Sequence, residues 1–373
     1  MKLAIHPIDL VIIILYLAGI VGLGVWAGTR RGRGGENGYF LAGKTLTWPI
    51  IGLALFSTNI STIHLVSLAQ EGYVNGLAYG NFEWMAIFTL VALSLFFAPF
   101  YIRSRVATLP DFLEKRYNRA CRDWLAVVSI ISAVFIHIGF SLYTGAVVLR
   151  GLFGIDITLS IVGVAVLTGL YTTIGGLLAV VLTESIQTVI LIAGAVAITL
   201  FGLADVGGWS GLVSSVDPVK LTILRPAGDP SGLPWYSVFL GYPVIGLWYW
   251  CADQTIVQRV LGAKDENHAR VGPLFAGFLK ILPVFIFVLP GLIGLALVNQ
   301  GRIPQAPADS ADIYAVLINT LLPVGIKGIV AAALLAALMS TVSGALNSIA
   351  TLVSYDIWRR WKPGTSEKSL VRI

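Results

Sequence analysis

Runs of about twenty apolar residues recur along the chain, beginning with Leu10 to Ala27. Each is long enough to cross a hydrocarbon layer roughly 30 Å thick. In hydrocarbon every backbone polar group must be satisfied within its own segment, so such runs form helices. A chain built of them is an all-α polytopic membrane protein. Charged residues are 12% of the sequence, about half of what a soluble domain carries. About nine spans are expected, near 9–29, 48–72, 79–101, 123–149, 156–174, 177–203, 234–254, 273–298 and 325–355. The sixth follows the fifth through the tight connection Thr172 to Gly176. Leu10 to Ala27 reads as a span rather than a signal peptide, because no small-residue cleavage site clearly follows it.

The distribution of Lys and Arg orients the spans. With the N-terminus outside, the inside loops hold Arg30, Arg31, Arg33 and Lys44, then Arg103 to Arg122, then Arg259, Lys264 and Arg270, then Arg359 to Arg372. Outside stand only Lys2, Arg150, Lys220, Arg225, Arg302 and Lys327. The C-terminus is therefore expected in the cytoplasm. The net charge of +6 belongs to these loops and does not argue for nucleic acid. Cys121 and Cys251 are too few and too far apart in the chain for a disulfide framework or metal cluster. Ser310 to Leu322 is expected to form a short interfacial helix, and the polar tail after Trp361 to be disordered.

One span contradicts its own setting. Trp48 to Phe56 and Leu65 to Ala69 are apolar, but Ser57-Thr58-Asn59-Ile60-Ser61-Thr62-Ile63-His64 between them is not. Such a seam must face protein or a water-filled cavity, and its side chains compete with helical hydrogen bonding. Two readings follow: a helix interrupted near the bilayer midplane to build an ion or solute site, or Ser and Thr used as glue between helices. The segment 241–254 is a second candidate interruption, because Pro243 and Gly246 weaken a helix. Trp248, Tyr249 and Trp250 follow; they suit either stacking on a ligand or an interfacial belt.

Ionisable residues inside spans are functional candidates. Glu83, Glu184 and Lys280 are the charged ones, with His64 and His137 beside them. Glu83 and Lys280 have apolar neighbours, so each either touches a solute or pairs within the protein. In the last span Ala337, Ser340 and Thr341 share one helical face. Two hydroxyls and freed carbonyls suit a hard monovalent cation such as Na⁺, and small-residue packing explains the same spacing. No nucleophile–base arrangement is present, so an enzyme is not expected.

The ordered motifs Ser57-Thr58-Asn59-Ile60-Ser61, Phe82-Glu83-Trp84, Thr108-Leu109-Pro110-Asp111-Phe112-Leu113-Glu114-Lys115-Arg116-Tyr117 and Tyr171-Thr172-Thr173-Ile174-Gly175-Gly176-Leu177 resemble the sodium:solute symporter family, in its sodium/sugar (glucose/galactose) cotransporter branch. Thr183 to Thr188, Gln258-Arg259, Phe278-Leu279-Lys280 and Ser340-Thr341 through Asn347-Ser348 continue the resemblance, which covers residues 9 to 361. It implies a LeuT-type fold of two inverted five-helix repeats, with broken helices at 48–72 and 234–254. A preceding helix at 9–29, a first repeat at 48–203 and a partial second repeat at 234–355 would form one transporter domain, 1–361, followed by a polar cytoplasmic tail, 362–373. The second repeat would be incomplete, which points to a fragment of a longer protein.

The resemblance implies Na⁺-coupled import of a sugar by alternating access across the plasma (inner) membrane, with Na⁺ as coupling ion and no other cofactor. It carries the sodium site onto Ser57, Ile60, Ala337, Ser340 and Thr341, and the sugar site onto Asn59, His64, Glu83, Tyr249 and Lys280, with Tyr249 as an inner gate. A second sodium would lie at Glu184 and Ser343; relatives usually carry Asp where Glu184 stands, and some carry a hydroxyl where Gly344 stands. Ala86 and Gly246 occupy positions where relatives place polar sugar contacts. The alternatives are a Na⁺ symporter for a polyol, proline, a carboxylate or sialic acid, and a truncated non-transporting sensor or paralogue.

Overall fold

The computed structural model describes residues 6–31 and 35–371; Lys2, Arg33 and Arg372 of the orientation argument lie outside them. The helices that concern the site and its supports are α1 (Pro7–Arg31), α2 (Trp48–Asn59), α3 (Thr62–Val74), α4 (Leu77–Arg103), α5 (Leu109–Arg116), α6 (Arg119–Phe153), α7 (Ile157–Val206), α8 (Ser237–Ala252), α9 (Gln254–Leu261), α10 (Glu266–Asn299), α11 (Ser310–Leu321) and α12 (Ile326–Trp361). No strand occurs among the described residues. Six described helices are long and apolar enough to cross a membrane, and seven if α2 and α3 are one bent span.

Helix α7 has 50 residues, about 75 Å at a rise of 1.5 Å per residue, more than twice the hydrocarbon thickness. It is interrupted at Gly176, where φ is 58° and ψ −154°. A side chain there would collide with the Tyr39 carbonyl oxygen, so only glycine suits both the conformation and the space. The two arms are the spans read at 156–174 and 177–203. Tyr39 braces the corner by donating to the Thr173 carbonyl at 2.8 Å. Helix α1 packs beside it: a Cβ on Gly28 would meet the Gly175 Cα at 2.6 Å, and one on Gly24 the Tyr171 side chain. Close approach of this kind replaces hydrophobic drive in membrane packing.

Helix α12 is the central post, with 89% of its most apolar stretch buried against 22% for α1 and α6. It packs most extensively on α7. Asp9 of α1 ties down its start, its carboxylate accepting from Gly325 N and Gly328 N at 2.7 and 2.8 Å.

The first interruption is where the polar seam placed it. Helix α2 ends at Asn59, Ile60 is extended, α3 begins at Thr62, and the arms bend by 65°. The second differs from expectation. Pro243 and Gly246 lie inside continuous helix; the break is at Asp253 (φ −81°, ψ 124°), and the chain goes on as the fully buried α9. Arg259, expected as an inside-loop charge, is in α9 and fully buried. Three prolines explain why helix survives around them. Pro99, Pro243 and Pro290 each follow a widened π-type turn, at Leu93–Phe97, Ser237–Gly241 and Val284–Val288. The widened turn absorbs the missing proline N–H.

The short helix expected at Ser310 to Leu322 appears as α11. The tail departs from disorder: Leu370 is buried against Phe40 and Tyr355, and Ser354 donates to its carbonyl at 3.3 Å.

Candidate functional site

The break at Ile60 exists because its flanking residues satisfy the backbone that it frees. The Ser61 N–H donates to His64 Nδ1 at 3.2 Å, closing the first turn of α3. The Ile60 N–H still donates to the Phe56 carbonyl at 3.1 Å, closing the last turn of α2. At the second break the Asp253 carboxylate accepts from Thr255 N at 2.6 Å and caps α9.

Between these breaks lies a cavity of about 340 Å³, walled by α2, α3, α4, α6, α8, α10 and α12. All five residues expected to bind solute line it: Asn59, His64, Glu83, Tyr249 and Lys280. Four of them are hydrogen-bonded in a chain. Lys280 donates to Glu83 and to Asn59 Oδ1, and Asn59 Nδ2 donates to the Tyr249 hydroxyl at 3.2 Å. Lys280 is 1% exposed and Glu83 4%, so each charge is compensated by the other. The Trp250 ring lies 5.3 Å from Lys280 Nζ and the Phe56 ring 5.7 Å, within cation–π range. Trp250, Tyr242, Phe82 and Phe140 supply aromatic wall, and Ala86 and Gly246 leave room in it. The cavity thus offers donors, acceptors and flat apolar faces without net charge from its one ion pair.

Four of the five residues expected to hold sodium meet beside this cavity. Ser340 Oγ donates to the Ser57 carbonyl at 3.0 Å and the Ala337 carbonyl at 3.1 Å. Thr341 Oγ1 donates to the Ala337 carbonyl at 3.1 Å and also lines the cavity. Ile60 is the extended residue of the break, fully buried. The Ser57 hydroxyl is buried without a hydrogen-bond partner among the described residues. Neutral carbonyl and hydroxyl oxygens fit a hard monovalent cation. Of the two residues expected at a second sodium, Ser343 is hydrogen-bonded to that set and Glu184 is held by Thr58 and Arg259 instead. Glu184 is fully buried and accepts from Arg259 at 2.6 and 3.3 Å and from Thr58 Oγ1 at 3.0 Å. Ser343 donates to the Ser340 carbonyl at 3.0 Å.

Arg259 is the residue that sequence reasoning misassigned. The signal lay in Gln254-Thr255-Ile256-Val257-Gln258-Arg259, which alternates polar and apolar positions at helical spacing. Also missed was the approach of His137 Nε2 to Asp253 Oδ2, 3.4 Å apart, which joins α6 to the second break.

The sodium:solute symporter family profile matches residues 39–373. The chain is 36% identical over 398 residues to sodium/glucose cotransporter 4 of Mus musculus, 34% over 404 to sodium/glucose cotransporter 2 of Rattus norvegicus, and 34% over 396 to sodium/myo-inositol cotransporter 2 of Oryctolagus cuniculus. These alignments cover 99% of this chain but 58, 60 and 59% of those relatives; the chain spans about three fifths of their length. A solved structure described as the substrate-bound outward-open state of a Na⁺-coupled sialic acid symporter superposes with a TM-score of 0.91, 24% identity, and coverage of 98% of this chain and 78% of that one.

Proposed function

The chain belongs to the sodium:solute symporter family, and from that premise we propose that it carries the ion and solute sites of a Na⁺-coupled sugar symporter. The observation that carries the reading is the Ile60 break. Within three residues it presents the Ser57 carbonyl to Ser340 and the Asn59 amide to Lys280 and Tyr249. A cation at Ser57, Ile60, Ala337, Ser340 and Thr341 would fix the α2–α12 contact and so order the solute cavity. Coupling of this kind is reciprocal: solute raises Na⁺ affinity by the factor by which Na⁺ raises that of solute. Solute and ion would exchange sides by alternating access, with the N-terminus outside.

The preference for a neutral polyhydroxylated solute rests on the Glu83–Lys280 pair. Hydroxyls can accept from the ammonium and donate to the carboxylate, and aromatic faces suit a sugar ring. An anionic solute would meet the Glu83 carboxylate, and Lys280 would have to leave it. The names of the cotransporter relatives support glucose-like or inositol-like cargo; that of the structural neighbour keeps sialic acid as the second reading.

The test is uptake of radiolabelled glucose, galactose, myo-inositol and sialic acid into proteoliposomes, with a Na⁺ gradient and with K⁺ in its place. Na⁺-dependent uptake of a neutral sugar or polyol is expected. Uptake of sialic acid alone would overturn the sugar assignment. Ser340→Ala is expected to raise the Na⁺ half-saturation about tenfold, a loss of roughly 1.4 kcal/mol; an unchanged value would sink the sodium site.

A further inference from the structure

We propose that the groove between the end of α4 and α5 binds one anionic phospholipid, its phosphate on Lys115 and Arg116 and an acyl chain along Phe97 and Phe100. The groove holds about 360 Å³ and shares no lining residue with the solute cavity. Two helix faces make it. Phe97, Phe100, Tyr101 and Ser104 line it from α4, at the three- and four-residue intervals that put them on one face. Phe112, Lys115 and Arg116 line it from α5 at the same spacing. Tyr101 is the floor. Its ring stands edge-on to Phe112 with centroids 5.0 Å apart, and its hydroxyl donates to the Cys251 carbonyl at 2.6 Å. Lys115 closes one end by donating to the Ser104 carbonyl at 3.0 Å.

The lining is sorted by polarity. Phe97, Phe100 and Phe112 form an apolar wall, and the two cations stand together in the last turn of α5. Phe96 and Phe100 are each 62% exposed on a helix long and apolar enough to cross a membrane, so this wall meets hydrocarbon. Lys115 and Arg116 lie beyond the end of that span, at the depth of the headgroups, and the neighbouring Tyr117 is 66% exposed, as suits an interface. Positive charge is in excess there. Asp111 lies 3.5 Å from Lys115 and 3.7 Å from Arg122, so two cations share one carboxylate. Arg116 lies over the Tyr117 ring at 5.5 Å and pairs with no carboxylate among the described residues. Its planar fork can take two phosphate oxygens. An anionic phospholipid answers both halves of the groove. Free phosphate would leave the aromatic wall unused, and a zwitterionic lipid would bring an ammonium beside Arg116. With the N-terminus outside, the groove faces the cytoplasmic leaflet, which carries the anionic lipids; the leaflet, but not the binding, rests on that orientation.

Native mass spectrometry of the full chain in detergent reads lipid binding directly, independently of the sodium and solute assignments. The probes are dioleoylphosphatidylglycerol, dioleoylphosphatidylcholine and inorganic phosphate. One phosphatidylglycerol is expected to bind about tenfold more tightly than phosphatidylcholine. Lys115→Gln/Arg116→Gln is expected to lose that preference. Lys264→Gln/Arg270→Gln, which removes two exposed cations elsewhere, is expected to keep it. Equal affinity of the unmodified chain for the two lipids would overturn the proposal, and so would equal losses in the two double variants, which would mean general attraction to a basic surface. Excess phosphate at constant ionic strength is expected to leave the lipid bound; displacement would make the groove a site for soluble anions and overturn the lipid assignment. Phe100→Ala is expected to weaken both lipids about threefold while their ratio holds; unchanged affinity would overturn the acyl-chain contact. If Lys115→Gln/Arg116→Gln does not fold, Arg116→Gln alone decides: phosphatidylglycerol is expected to bind about threefold more weakly, and an unchanged affinity would overturn the site.

Discussion

The two interruptions beside the cavity reach the same result by different means. At Ile60 the break is wide, 65°, and lies in an obvious polar seam. Its amides are satisfied locally, by His64 and by the preceding turn. At Asp253 a single carboxylate suffices, capping α9 while approaching His137 of a neighbouring helix. Proline, the residue most associated with broken helices, makes neither break. What interrupts these helices is a short polar side chain able to start the next arm, whereas Pro99, Pro243 and Pro290 are accommodated after widened turns. Asn59, at the first break, hydrogen-bonds to Tyr249 just before the second, so the two breaks communicate directly.

The largest expected effect lies at the pair that serves both. Lys280→Ala should abolish solute binding and leave Glu83 an uncompensated buried charge, costing about 3–5 kcal/mol of stability. The double variant Glu83→Gln/Lys280→Met should recover thermal stability in detergent but not solute binding; recovered binding would remove the pair from the site. Next comes Asp253→Ala, which should lose about 1–2 kcal/mol with the cap, while Asp253→Asn keeps most of it. Equal melting losses for both would show that charge, not capping, holds the second break. Ser61→Ala should cost less, about 0.5–1 kcal/mol, because the His64 ring still accepts from the backbone; a larger loss than at Asp253 would invert the ranking of the two breaks. Pro243→Ala should change stability by no more than about 0.5 kcal/mol. A shift above roughly 2 kcal/mol, read from the same melts, would restore proline as the source of the interruption.

The sequence made the first break legible because it sets six polar residues within a stretch of eight, Ser57 to His64, against an apolar background, and in a membrane such a contrast has few explanations. It made the buried Glu83–Lys280 pair legible for the same reason: both residues stand among apolar neighbours. Position misled where the signal depended on depth. Arg259 follows an aromatic run and precedes Lys264 and Arg270, and by composition alone it belongs with them in a loop. Only the fold brings Glu184 of α7 close enough to make its burial tolerable. Asp253 reads as the end of a span because its capping role depends on a helix, α9, too short and too polar to register as apolar. Leu370 is hidden in a polar tail because a single buried side chain leaves no periodicity.

The glycine contact between α1 and the corner of α7 bears on how motion in this protein could be watched. Gly24 and Gly28 seat the first helix against Tyr171 and Gly175 without room for a methyl group, and Asp9 fastens its other end to the start of α12. A helix held at both ends is a poor reporter of movement but a sound origin for measuring it. A fluorophore at the outward-facing Leu15 would serve as the fixed zero of a distance ruler, against which a second label on α3 or α8 records displacement of the broken helices alone.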